Sequence, residues 1–302
     1  ISSPTIYGSM SIKELENLFN GLGYEPKIVD DTHPEKGHVH EKMIRALDWA
    51  YHSIRKIQKK ARAQKEAYLK PKWPMIIFRS LKGWTGIKKA DGERIEGTYH
   101  SHGIPLSDPK TNPEHFKLIK QWLESYKITE LVDKNGCPLA EITEFIPKGA
   151  CRMGKNKHTV GGALRKELKL PETKKYRIYL TKRGEPQVGN TAASADYIRD
   201  IFTCNKKAKN FRFMCPDETE SNKFQALFQS TQRAFMWPTH PWDENIGSNG
   251  RVMEILSEHT LQGWLQGYLL TGRHGIFATY EAFAQIVSSM VDQYAKFLKQ
   301  SA

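Results

Sequence analysis

One acidic residue of this sequence stands where a carboxylate could do chemistry. Glu258 follows a short apolar segment, residues 252–256, which predicts a β-strand, and apolar residues then recur at helical spacing. Ligands bind at the carboxyl ends of strands in α/β sheets, and a partly buried carboxyl group there could hold or share a proton near neutrality. The residues alone equally allow Glu258 to be an ordinary acid that complements the helix dipole.

Two histidines and a lysine are the next candidates. His100 and His102 stand two apart in a loop predicted to be extended, so both could project to one side. The spacing supplies no clear further Cys, His or acidic ligand, so no metal site is predicted, and solvation or capping is the ordinary role of such histidines. Lys82 follows the apolar segment 75–78, where it is either a surface charge or a contact to an anion.

A hydroxyl group and two aromatic rings complete the set. Ser221 follows the apolar segment 211–214 and precedes a predicted helix, so its hydroxyl could cap that helix or bind a phosphate. Tyr280 and Phe283 stand three apart at the start of the last predicted helix and share a face, which usually means core packing. His274 belongs to a distinctive string, Thr-Gly-Arg-His-Gly, to which we assign no role.

The elements that must position these residues alternate between helix and strand. Short apolar runs predict strands at residues 27–29, 75–78, 211–214 and 252–256. Amphipathic periodicity predicts helices at residues 11–21, 40–68, 113–126, 192–202, 222–235 and 280–298. This order predicts an α/β fold in which parallel sheets are flanked by helices. The few strands predicted near the end of the chain favour a fragment of a longer protein.

Composition narrows the class of protein. The 302 residues suffice for about two domains. The sequence contains no run of 18 apolar residues, so no membrane-spanning helix is predicted. The four cysteines are widely spaced, which is typical of reduced thiols in a cytoplasmic protein. The net charge of +13 is densest in residues 55–72, on the polar side of a predicted helix. Because no nucleic-acid-binding motif accompanies this charge, binding to nucleic acid is not predicted.

Several strings of the sequence resemble the phosphoketolases, which are thiamine-diphosphate-dependent, transketolase-like enzymes. They are PMIIFRSLKGWTG, the His-Gly-x-Pro-Leu ending of the loop 98–106, CPDETESN, LSEH and GYLLTGRHG. The resemblance runs over nearly the whole chain and implies partial thiamine-diphosphate-binding folds. Residues 1–126 would be the C-terminal part of the diphosphate-binding domain, residues 127–185 an interdomain connection, and residues 186–302 the N-terminal part of the pyrimidine-binding domain.

The resemblance also implies catalytic roles. Glu258 matches the glutamate that hydrogen-bonds the ring nitrogen of the cofactor's aminopyrimidine and so helps to produce the carbanion nucleophile. His102 matches a histidine that reaches the cofactor and the substrate oxygens, where it would move protons during carbonyl addition and carbon–carbon cleavage. His100 is the poorer match and is kept as a candidate for contact with the substrate.

Four further residues receive binding roles from the same resemblance. Lys82 becomes a candidate for contact with the cofactor or the substrate. Ser221 matches the serine that reaches the phosphate group of the sugar. Tyr280 matches the aromatic pocket around the aminopyrimidine, with Phe283 as the poorer match.

The implied reaction is the cleavage of xylulose 5-phosphate or fructose 6-phosphate by inorganic phosphate into acetyl phosphate and a shorter aldose phosphate. Magnesium holds the cofactor through a Gly-Asp-Gly motif in this superfamily, and none occurs here, so we expect that motif upstream of Ile1 and an isolated chain without activity. The implied active site forms between two subunits, which predicts a homodimer. The alternatives are a non-catalytic fragment or binding module, and a transketolase-type enzyme.

Overall fold

A computed structural model describes residues 5–33, 38–63, 70–103, 105–157, 164–216 and 219–301 of the chain. The chain divides into two units, Ile1–Phe145 and Ile146–Ala302, and each is considered by itself. Both contain parallel strands with helices beside them, which confirms the predicted α/β class. None of the helices in the described ranges combines the length and the apolar composition that crossing a bilayer requires.

The first unit is built around two parallel strands, β1 (Tyr24–Asp31) and β2 (Trp73–Ser80), paired over their whole length. Helix α1 (Ile12–Gly21) matches the helix predicted at residues 11–21, and it begins after Ser11, which forms a reciprocal capping box with Glu14. Helix α2 (Val39–Ala63) connects the two strands, as parallel pairing requires. The predicted end of this helix, residues 64–68, lies outside the described residues.

The rest of the first unit carries a small second core. A hairpin of β3 (Lys89–Ala90) and β4 (Glu93–Arg94) is followed by a 3-10 turn (Tyr99–His102) and by the predicted helix α3 (Pro113–Ser125). Four buried apolar residues join these elements to α3, and they are Ile87, Ala90, Ile95 and Leu106. The hairpin strands have two residues each, which is too short to give a periodic signal in the sequence.

Short elements follow α3 over some sixty residues of chain. They are 3-10 turns at Ile128–Glu130, Gly149–Cys151, Met153–Lys155 and Thr173–Tyr176, and the single-turn helix α4 (Ala140–Thr143). No long helix occurs in the described part of residues 127–185, a range in which the sequence predicted none.

The second unit contains helix α5 (Asn190–Cys204) and a parallel sheet of five strands. In chain order the strands are β5 (Phe211–Cys215), β6 (Arg233–Ala234), β7 (Ile246–Gly247), β8 (Val252–Glu254) and β9 (His274–Phe277). Their spatial order is β7-β6-β8-β5-β9, so the central strand pairs are formed by segments distant in sequence. The sequence predicted only two of these five strands, and this number was wrong. Strands β6 and β7 are too short to be recognised, and β9 is too rich in Gly and His.

Helix α6 (Glu258–Leu270) and helix α7 (Ala284–Ser301) complete the second unit. Its core forms where α5 packs on the sheet, and Phe202 meets Phe211 edge to face with 4.9 Å between ring centroids. Phe213 and Val252, fully buried on neighbouring strands, extend this core. Burying each such side chain contributes about 1.5–3 kcal/mol, which holds β5 and β8 in the middle of the sheet.

Two helix predictions in the second unit need correction. No helix spans residues 222–235, where a 3-10 turn (Gln225–Gln229) leads instead into β6. Lys223 adopts a left-handed backbone conformation with φ of 65°, which an α-helix does not accommodate. The last helix begins later than predicted, because a 3-10 turn (Glu281–Phe283) precedes α7.

Candidate functional site

The carboxyl ends of the strands in the second unit lie along one edge of the sheet, because the five strands are parallel. The segment that carries Ser221 leaves the sheet after β5, the segment that carries Glu258 leaves it after β8, and Tyr280 follows β9. The topology therefore brings three of the residues selected from the sequence to the edge where α/β sheets bind ligands.

Glu258 is the first residue of α6 and is half-buried. Ser257 caps the helix by accepting a hydrogen bond from the backbone N–H of Thr260 at 3.3 Å. The strand before the helix is shorter than predicted, since β8 ends at Glu254 and Leu256 is exposed. Among the described residues, none donates a hydrogen bond to the Glu258 carboxylate or forms an ion pair with it. This carboxylate is therefore uncommitted within the described part of the chain.

Aromatic rings lie at the same edge of the sheet. Tyr280 and Phe283 meet edge to face with 6.2 Å between ring centroids, and both are half-buried. The hydroxyl oxygen of Thr279, directly before Tyr280, is buried and has no hydrogen-bond partner among the described residues. A buried hydroxyl is expected to be hydrogen-bonded, so this one is suited to a polar ligand. A carboxylate, a free hydroxyl and aromatic faces together fit a planar ring with hydrogen-bonding nitrogens.

Ser221 does not open a helix, contrary to the prediction. It is exposed and lies in a turn that we call the substrate turn, residues 219–223. The backbone N–H of Lys223 donates to the carbonyl oxygen of Glu220 at 2.8 Å, and that of Phe224 donates to the carbonyl oxygen of Thr219 at 3.0 Å. The Ser221 hydroxyl is thus presented by a closed turn and receives no help from a helix dipole.

Glu254, at the carboxyl end of β8, was missed in the sequence. Its carboxylate accepts hydrogen bonds from the backbone N–H of Thr219 at 2.9 Å, from the Thr219 hydroxyl, and from Nε of Arg233 at 3.0 Å. Arg233 also donates to Glu220 at 2.9 Å. Burial alone lowers the pKa of Arg233, but the two carboxylates outweigh it and raise that pKa. Side chains two positions apart in a strand lie on the same face of the sheet. An acid two positions after Val252, which is buried, was therefore the sequence signal that could have identified Glu254.

The first unit holds a second pair of candidates. Nζ of Lys82, just after β2, lies 2.9 Å from Nδ1 of His102 in the 3-10 turn. Gly83, with φ of 75°, lets the two segments approach, because a Cβ there would lie 2.7 Å from the Cβ of Ser101. His100 takes no part in this pair, since its ring packs on Tyr99 with 4.0 Å between centroids.

His274 makes a hydrogen bond that supports the fold, and we assign it no role in the candidate site. Its Nε2 lies 2.7 Å from the carbonyl oxygen of Lys166, to which it donates a hydrogen bond. This bond ties the start of β9 to the segment before α5. Within the described ranges, no group of three or more His, Cys, Asp or Glu side chains could hold a metal ion.

Comparison with protein families gives two matches that together cover most of the chain. Residues 1–164 match a family model described as the XFP N-terminal domain. Residues 192–302 match a model described as D-xylulose 5-phosphate/D-fructose 6-phosphate phosphoketolase. The substrate turn, Glu258 and Tyr280 fall within the second match, and Lys82 and His102 within the first.

Curated relatives give the same result. Proteins named probable phosphoketolase from Bradyrhizobium diazoefficiens and Rhodopirellula baltica are 44% and 48% identical, each over 99% of this chain and 37% of the relative. One from Nitrosospira multiformis is 46% identical over 100% of this chain and 38% of the relative. The chain thus spans a little over a third of the length of these relatives.

Among solved structures, a transketolase from Campylobacter jejuni matches over 93% of this chain and 37% of that protein, with 17% identity and a TM-score of 0.44. The family matches and the curated relatives agree over both units of the chain. This protein therefore belongs to the phosphoketolase family.

Proposed function

We propose that this chain is part of an enzyme that cleaves xylulose 5-phosphate, fructose 6-phosphate or both with inorganic phosphate, giving acetyl phosphate, a shorter aldose phosphate and water. The observation that carries the proposal is the uncommitted carboxylate of Glu258 at the ligand-binding edge of the sheet. The match of residues 192–302 to a phosphoketolase family model supports the choice of substrates.

Thiamine diphosphate is the proposed cofactor, and the residues at the edge of the sheet fit its aminopyrimidine ring. The ring needs a carboxylate beside one nitrogen, polar partners for its other nitrogens and apolar contacts to its faces. Glu258, the unpartnered hydroxyl of Thr279, and Tyr280 with Phe283 offer these groups. When bound, thiamine diphosphate supplies the nucleophilic carbon that attacks the ketose carbonyl.

Glu258 holds or releases a proton at its carboxylate while it hydrogen-bonds the pyrimidine ring. Half-burial strengthens this hydrogen bond, because a carboxyl group partly removed from water interacts more strongly with a single polar partner. Tyr280 and Phe283 keep water from the ring and orient it against Glu258. The carboxylate of Glu254 already accepts hydrogen bonds from Thr219 and Arg233, so we assign it no contact with the ring.

His102 is the proposed proton shuttle, and Lys82 sets its tautomer. An ammonium group only donates hydrogen bonds, so Nδ1 of His102 accepts from Lys82, and the ring proton of a neutral His102 lies on Nε2. Nε2 can then donate to a substrate oxygen and recover the proton later. The positive charge of Lys82 also suits contact with an anionic cofactor or substrate group. His100, packed on Tyr99, serves at most as a further contact to the substrate.

Ser221 is the proposed contact to the phosphate group of the sugar. The substrate turn presents its hydroxyl at the same edge of the sheet as Glu258, which is the arrangement a substrate spanning both requires. Hydroxyl groups donate readily to phosphate oxygens. This role replaces the helix-terminal anion site expected from the sequence.

The remaining parts of the proposal concern the whole enzyme. Residues 1–126 belong to the diphosphate-binding domain, residues 127–185 connect the domains, and residues 186–302 belong to the pyrimidine-binding domain. A magnesium ion, held by residues outside this sequence, binds the diphosphate, and the active enzyme is a homodimer. The isolated chain is inactive. We place the enzyme in the cytoplasm, because its four cysteines form no disulfide with one another and reduced thiols are typical of that compartment.

The test is an assay of the full-length enzyme with either sugar phosphate, with and without inorganic phosphate. The proposal expects acetyl phosphate to form only when inorganic phosphate is present. A transketolase-type enzyme would instead need an aldose acceptor and would be indifferent to inorganic phosphate. A binding module would form no product under any of these conditions, and either result would refute the proposed reaction.

A further inference from the structure

We infer that Glu254 is a positioning residue that holds the substrate turn, and with it the hydroxyl of Ser221, in a fixed place relative to Glu258. The inference rests on the proposed function for the role of Ser221. It concerns how the enzyme binds its sugar phosphate, and it assigns no contact between Glu254 and substrate or cofactor.

The contacts of Glu254 join three segments that are distant in sequence. The carboxylate stands at the end of β8, Thr219 follows β5 after 216–218, and Arg233 begins β6. One oxygen accepts from both the backbone and the side chain of Thr219, and the other accepts from Arg233. Arg233 then reaches Glu220, the next residue of the substrate turn. The turn is therefore pinned at two consecutive residues, directly before Ser221.

Burial makes these contacts strong enough to fix a position. Thr219 is fully buried, and the side chains of Glu254 and Arg233 are 21% and 17% exposed. Charge-assisted hydrogen bonds between groups largely removed from water are stronger than ion pairs at an exposed surface. The ring of Phe228 adds a further restraint, since the guanidinium of Arg233 lies 4.4 Å from its centroid.

This hydrogen-bond network bears on function because Glu254 is close to Glu258 in the sequence. Only three residues separate Glu254 from Glu258, so the end of one strand orients both the substrate turn and the start of α6. The carbonyl carbon and the phosphate group of a ketose phosphate are joined by a short carbon chain, which limits the distance between them. Holding both ends through one strand lets a single rigid element set that separation, which is the geometric precision that rate enhancement by orientation requires.

The test uses the full-length enzyme with Glu254→Gln, together with the pair Thr219→Val and Thr219→Ser. Gln keeps the size of the side chain but removes the charge, Val removes the hydroxyl donor, and Ser restores it. We expect Glu254→Gln and Thr219→Val to raise KM for the sugar phosphate about tenfold and to change kcat by less than about threefold. Thr219→Ser should return KM to the wild-type value, and Glu244→Gln, at an exposed acid of the same unit, should leave it unchanged.

A double-mutant cycle distinguishes positioning from general stability. If Glu254 acts through Ser221, Ser221→Ala should cost little further affinity in the Glu254→Gln background, so the two effects on KM should not add. Full additivity, or a KM unaffected by Glu254→Gln, would overturn the inference. Hydrogen exchange of the same variants gives a readout that does not need activity, because the amide hydrogens of Thr219 and Phe224 should lose protection while those of α6 keep it.

The two proposals fail in different ways. A full-length enzyme that forms no acetyl phosphate refutes the proposed reaction, and the hydrogen-exchange result still decides whether Glu254 holds the turn. An active enzyme in which Glu254→Gln changes neither KM nor the protection of the substrate turn refutes the inference and leaves the proposed reaction standing.

Discussion

Nζ of Lys82 lies 2.9 Å from Nδ1 of His102, although the two residues are twenty positions apart in the sequence. The approach depends on Gly83, whose positive φ and missing side chain leave room for Ser101. Because the ammonium can only donate, it places the ring proton of neutral His102 on Nε2. His102 is therefore paired with Lys82 in the fold, and the local sequence around either residue did not reveal this pairing.

Replacing Lys82 with Met should impair the proton transfer assigned to His102. The variant keeps an unbranched side chain but releases Nδ1, so the imidazole loses its fixed tautomer and orientation, and we expect kcat to fall about 10–100-fold. The measurement is the steady-state rate of acetyl phosphate formation by the full-length enzyme. Lys120→Met is the matched control, because among the described residues Lys120 pairs only with Glu124, on the exposed face of a helix. Equal rates for the two variants would remove Lys82 from this role.

Replacing Tyr280 with Ala should weaken cofactor binding. The ring of Tyr280 is half-buried against Phe283 at the edge of the sheet, and losing its contact area should raise the dissociation constant of thiamine diphosphate about tenfold. A fluorescence titration of the full-length enzyme with thiamine diphosphate measures this change. Tyr179→Ala, at a ring that is 72% exposed and follows no strand, should bind like the wild type. Unchanged affinity in Tyr280→Ala would show that the cofactor binds elsewhere.

The position of Glu258 in the fold could be predicted from the sequence because it follows from local patterns, whereas its proposed role came from the family resemblance. Glu258 stands after an apolar run and before a helical period, and the alternation of helix and strand implies parallel strands that end at one edge. The capping box of Ser11 and Glu14 was equally local, since both partners lie within one turn of helix.

The features that were missed depend on contacts between distant segments. Glu254 is 35 residues from Thr219 and 21 from Arg233, so no local pattern reveals their hydrogen bonds. Strands β6 and β7 have two residues each and exist only because their neighbours pair with them. The helix predicted at 222–235 failed for a backbone reason, because the left-handed Lys223 turns the chain where amphipathic spacing favoured a helix.

Stability should depend on pH through Asp200. The hydrogen bond from Arg199, and then that from Tyr176, lowers the pKa of Asp200 in the folded protein. A lowered pKa contributes stability above the unfolded-state value of about 3.9, and this contribution is lost as the pH falls through the folded-state value. Asp200→Asn should therefore reduce the free energy of unfolding by about 1 kcal/mol near pH 7, after allowance for solvent screening of a partly exposed side chain.

Urea unfolding of both proteins at several pH values measures this linkage. The difference between wild type and Asp200→Asn should shrink as the pH falls below about 3.9, and it should approach zero once the pH lies below the lowered pKa of the folded state. Asp292→Asn is the control, because Asp292 is exposed and forms no ion pair with another described residue. A destabilisation of Asp200→Asn that is the same at every pH would contradict the assigned pKa shift.

The central claim is that the carboxylate of Glu258 activates the cofactor, and Glu258→Gln tests it most directly. Gln keeps the shape of the side chain but cannot exchange the proton, so acetyl phosphate formation by the full-length enzyme should fall at least about 100-fold. Glu281→Gln, which removes an exposed acid beside Tyr280, should retain the wild-type rate. If Glu258→Gln retains acetyl phosphate formation within about threefold of the wild type, Glu258 is not the activating acid and the account of the site is wrong.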